Sequence, residues 1–128
     1  MATKSQEGAA ETVRLLIYSG RPDPEWPVGP DELEALVGLL RRVVGAEEIH
    51  PPPAAALGYR GFLVRGVSVS DRPADFNVFR RVVTERSGAR TRHWRDTAGV
   101  EQWLLEQARR LGHGAVLDSE GFEDGKSG

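Results

Sequence analysis

The stretch Tyr59–Ser70, YRGFLVRGVSVS, decides what kind of sheet this chain can build. Phe62 and Val64 alternate onto one face of an extended strand, and so do Val67 and Val69, but the two pairs are out of step by one residue. One extra residue at Arg65-Gly66 returns all four to a single face, and glycine is the residue that a common type of β-bulge demands. The segment is therefore predicted to be a bulged strand. A turn at Asp71–Asp75 follows, and then FNVFRRVVTE, Phe76–Glu85, which reads as one further strand. The connection is short enough for an antiparallel hairpin. Ser87-Gly88 closes that strand.

Working outward, TVRLLIYS at Thr12–Ser19 alternates Val13, Leu15 and Ile17 against Arg14, Leu16 and Tyr18, the pattern of a first strand. The clearest element comes next. Pro30 suits the first position of a helix, where its missing N–H costs nothing. Leu33, Leu36, Val37, Leu40, Val43 and Val44 then form one continuous apolar stripe. Asp31, Glu32 and Glu34 complement the helix dipole at one end, Arg41 and Arg42 at the other, and Gly45 is expected to end it in the left-handed conformation. Gly38 inside the helix suggests close approach to a sheet. A second helix is read from Thr97 to Leu111, capped by Asp96 or Thr97, with Val100, Leu104, Ala108 and Leu111 as its buried stripe. Ala115–Asp118 is a candidate for a short edge strand.

The order strand, helix, strand, strand, helix implies an α+β two-layer sandwich: a small three-stranded, mainly antiparallel sheet with both helices on one face. Residues 1–11 and 119–128 lack hydrophobic periodicity and are expected to be disordered, leaving 12–118 as a single domain. The other sheet face is then open, and a second copy of the chain is one candidate to cover it.

Composition narrows the function more by exclusion than by assertion. The chain has 128 residues and no cysteine, so disulfides, thiolate metal sites and cysteine nucleophiles are excluded. No apolar run is long enough for a membrane span and there is no secretory leader, so a cytoplasmic protein is the default expectation. The net charge of −2 argues against a bulk polyanion binder. His50, His93 and His113 have no metal-ligand spacing, no nucleophile motif is present and no carboxylate pair stands out. Catalysis is disfavoured, no catalytic residue is assigned, and no cofactor or metal is called for.

Two segments carry the binding expectation. In YSGRPDPEWPVGP, Tyr18–Pro30, prolines stiffen the chain around a tryptophan. Trp26 is either a strap over the core or, with Arg21 and Asp23, a displayed recognition surface. The second segment, Arg80–Arg95, has six arginines against Glu85, with His93 and Trp94 interleaved. Stacking faces of this sort serve single-stranded nucleic acid, but the near-neutral body makes a protein or peptide the better partner. The expected surface thus comprises Arg21, Asp23, Trp26, Arg92, His93, Trp94 and Arg95. The alternative is a small-molecule binder or enzyme, in which the aromatic and arginine side chains, the three tryptophans clustered among them, line a pocket for an acidic ligand.

Overall fold

A computed structural model describes residues 11–18, 22–50, 60–69 and 73–119. Its elements are β1 (Thr12–Leu15), β2 (Glu25–Pro27), α1 (Pro30–Val44), β3 (Phe62–Ser68), β4 (Pro73–Phe79), β5 (Val82–Ser87), β6 (Arg90–Arg95), α2 (Val100–Arg110) and α3 (Gly114–Ser119). The bulge in the opening stretch is present. The β3–β4 register shifts between Val64 and Val67, Gly66 has φ +71°, and Phe62, Val64, Val67 and Val69 are all buried. Asp75 Oδ1 accepts the Gly66 N–H at 2.9 Å, which satisfies the donor that the bulge removes from the ladder.

The sheet is larger than the sequence led us to expect. It has six strands in the order β2-β1-β3-β4-β5-β6, every neighbouring pair antiparallel. The three-stranded expectation is overturned at three places; the α+β class stands. First, Phe76–Glu85 is not one strand. Arg80 and Arg81 take φ +52° and +66° and form a two-residue turn that folds β4 onto β5, with Phe79 opposite Val82. Second, Gly88 (φ +61°) and Ala89 make another two-residue turn, and Arg90–Arg95 returns as β6. Third, Glu25–Pro27 pairs with Thr12–Arg14 as an edge strand.

The helices needed less revision. α1 begins at Pro30, but Gly45 ends it right-handed, at φ −80°. Gly38 faces solvent, with nothing within 4 Å of where a Cβ would lie, so it does not serve close packing. α2 starts at Val100, and Asp96 caps it from outside: Oδ1 accepts the Val100 N–H and Oδ2 the Glu101 N–H, both at 2.8 Å. Ala115–Leu117 belongs to helix α3 instead of an edge strand.

One hydrophobic core joins the helices to one side of the sheet. Val13, Leu15, Phe62, Val64, Phe76, Val78, Val83 and Trp94 meet Leu36, Leu40 and Val43 of α1 and Val100, Leu104, Leu105 and Ala108 of α2. By strand alternation, Thr12, Arg14, Leu63, Arg65, Asp75, Asn77, Thr84, Arg86, Thr91, His93 and Arg95 project from the opposite side. No described helix covers that side. Among the described residues, no helix is long and apolar enough to cross a membrane.

Candidate functional site

The open sheet face is assembled from cross-strand rows. One row runs Arg14, Leu63, Asn77, Thr84 and His93 across β1, β3, β4, β5 and β6. Beside it, Asp75 lies opposite Arg86, with Arg65 on the bulged strand next to them. Leu16, Leu63, Arg65, Asp75, Asn77 and Arg86 line a shallow concavity of ≈ 440 Å³. Its floor has two leucines and its rim two guanidiniums.

The rim charges are disposed unevenly. Asp75 Oδ1 is engaged by Gly66, and Asn77 Nδ2 donates to the Phe62 carbonyl at 3.3 Å. Arg14 Nη2 donates to Glu25 Oε1 at 3.0 Å, and the Thr12 hydroxyl donates to Glu25 Oε2 at 2.9 Å. Those two donations, Thr12's the stronger, hold the Glu25 carboxyl below the usual carboxylate range. Arg65 and Arg86 are exposed and make no hydrogen bond or close ion pair among the described residues, and the Arg65 charge adds weakly to the lowering of Glu25. The face thus carries Arg14, Arg65, Arg86 and Arg95 against Glu25 and Asp75, in a chain whose net charge is −2.

The residues singled out from the sequence are dispersed. Trp26 is 8% exposed: its indole stacks on His113 at 5.3 Å between centroids, and Nε1 donates to Gln107 Oε1 at 3.2 Å. It fills the strap role. Asp23 Oδ1 accepts the Ile17 and Tyr18 N–H groups at 3.0 and 2.7 Å, so its carboxylate shapes the same connection. Arg21 lies outside the described residues. Arg92 gives Nε and Nη2 to Glu85 Oε1 at 3.1 and 2.7 Å and lies over the Trp94 ring, 4.9 Å from its centroid. Trp94 is 1% exposed in the core, so it offers no stacking face. His93 and Arg95 project from the open face.

These positions do not form one surface. Trp26 and Trp94 occupy the two outermost strands, five strand spacings apart, or roughly 24 Å. The expected tryptophan cluster is therefore absent. Sequence reading missed Arg65, Arg86 and Asn77 as site residues. The available signal was the bulge itself, since it sets Arg65 beside Asp75 and Arg86.

Thr84 Oγ1 and His93 Nδ1 are 2.9 Å apart, the only hydroxyl–imidazole contact among the described residues. Thr84 is 7% exposed, which leaves its hydroxyl little access to a substrate. No group of three His, Asp or Glu among the described residues could hold a metal ion. Comparison with family models, with curated proteins and with solved structures finds no match to this chain.

Proposed function

We propose that this chain is a cytoplasmic, non-enzymatic binding domain that holds an acidic segment of a partner protein on its open sheet face. The observation that carries this reading is the pair Arg65 and Arg86. Both are exposed and have no ion-pair partner among the described residues, and both flank an apolar floor of Leu16 and Leu63. The guanidiniums take carboxylates in bidentate fashion, and the leucines take an apolar side chain beside them. The face is rigid backbone, so little ordering accompanies docking.

The volume of ≈ 440 Å³ also falls among small-ligand pockets, which supports a second reading, a free organic acid. Among the described residues no aromatic side chain lines the concavity, so an extended peptide gains more from it than a compact ligand would. A random-peptide display library selected on the immobilised protein tests the assignment. Selected peptides are expected to pair Asp or Glu with an apolar residue, and Arg65→Ala/Arg86→Ala should abolish that pairing without lowering Tm. Peptides with no acidic bias, or the same peptides from the double variant, would overturn it. Displacement by a dicarboxylic acid alone would favour the second reading. A dimer in sedimentation velocity that Arg65→Ala/Arg86→Ala dissociates would make a second copy the occupant.

A further inference from the structure

The connection between β4 and β5 holds two consecutive arginines with positive φ, +52° at Arg80 and +66° at Arg81. A two-residue hairpin turn of this hand is ordinarily made by Asn-Gly or Asp-Gly, because a Cβ in the left-handed region meets the following carbonyl. Arginine has no local hydrogen bond to offset that strain, as Asn has. The turn is instead held from outside. Glu101 of α2, 9% exposed, accepts the Arg80 N–H on Oε2 at 3.1 Å and the Arg81 N–H on Oε1 at 2.9 Å. Those are backbone donors, which any residue pair would supply. The fold therefore needs the turn and its clamp, and takes from the arginine side chains there only the contact of Arg80 over the Phe79 ring.

What the arginines do provide is charge at one end of the sheet. Arg80 and Arg81 are exposed, with the Arg80 guanidinium 5.3 Å from the centroid of the Phe79 ring. Arg95, also exposed, lies opposite Val82 at the base of the same turn, and the Asp96 N–H donates to the Arg81 carbonyl at 2.7 Å. Two carboxylates at this end of the sheet are already committed, Glu101 to the turn and Asp96 to the start of α2. Among the described residues none of the three guanidiniums has an ion pair.

We infer that Arg80, Arg81 and Arg95 form a carboxylate-binding tip that takes an acidic segment of a partner protein. Nucleic acid is the poorer occupant on two grounds. The neighbouring aromatic rings are closed to bases, with Phe79 8% and Trp94 1% exposed, and a net charge of −2 supplies no field to gather a polyphosphate. Short-range forked contacts to carboxylates need neither. The inference rests on the turn and does not require the Arg65–Arg86 concavity to be a site.

The test replaces the turn with the residues its backbone prefers. In Arg80→Asn/Arg81→Gly the Glu101 clamp keeps both of its donors while the strain and the charge are removed. The variant is expected to melt higher by roughly 3–8 °C and to bind a fluorescent Glu-rich peptide at least about tenfold more weakly in anisotropy titrations. Arg95→Ala, which leaves the turn untouched, should also weaken that peptide, and both losses should persist when measured in an Arg65→Ala/Arg86→Ala background. A variant that melts lower would show a structural task for the arginines and overturn the inference. So would undiminished peptide affinity, or tighter binding of a single-stranded oligonucleotide than of the peptide.

Discussion

Gly61 and Gly38 show how differently two glycines of one chain are constrained. Gly61 has φ +93°, and a Cβ there would run into the Val78 carbonyl oxygen and come within 2.6 Å of Phe79 Cβ. Both atoms belong to the middle of the sheet and cannot retreat. Gly61→Ala should destabilise the protein by about 3 kcal/mol or more in urea denaturation, from left-handed strain and overpacking together. Gly38 is the opposite case, a solvent-facing helix interior with open space around it. Gly38→Ala should stabilise by about 0.5–1 kcal/mol in the same measurement. A decrease there would mean that this helix face is covered in solution. Gly66 was legible in the sequence because it interrupts an alternation that resumes on the other side. Arg80 and Arg81 were not. Their left-handed backbone is imposed by Glu101, twenty residues downstream, and nothing in the arginine side chain announces it.

Among the elements, β2 explains the proline-rich stretch that follows β1. Its three residues lie at the sheet edge, where Pro27, lacking an N–H, is tolerated, and an edge so short and proline-bounded resists pairing with other chains. Trp26 is its one buried residue and pins it to α2. The rigid prolines were visible in the sequence, but a three-residue strand has too few residues to show a period. β6 was hidden for a related reason. Of Arg90, Arg92 and Trp94 on its core side, only Trp94 is apolar, so the alternation has a single point. The Thr12 and Arg14 contacts to Glu25 tie β2 to β1 and make this edge acid-sensitive. With the folded carboxyl depressed, the contribution is complete above the unfolded value and is lost as pH falls through the folded one. Glu25→Gln should flatten the acid limb of unfolding free energy against pH, measured by urea denaturation, by only a few tenths of a kcal/mol, since the pair is exposed. An unchanged limb would show that the clamp does not hold in solution.

At the scale of the molecule, the α+β class followed from two amphipathic helices and half-apolar strands. The binding residues did not follow, because a site on a sheet is written across strands. Arg65 and Arg86 are far apart in the chain and come to line one concavity only through strand order and the bulge. The arginine-dense string Arg80–Arg95 is divided by the same pleat. Arg92 turns inward to Glu85, while Arg86 and Arg95 turn outward. Charge density along the sequence was therefore a poor guide to charge density on the surface.

The succession β3-β4-β5-β6 has a kinetic corollary. Each of these strands neighbours the next both along the chain and in space, so their pairings close short loops at low entropic expense. β1 meets β3 only after all of α1 and its connector have been threaded between them. The four-strand meander should serve as the nucleus, with the amino-terminal ribbon docking afterwards. Val83→Ala is then expected to slow refolding, whereas Val13→Ala should chiefly hasten unfolding, in stopped-flow chevrons.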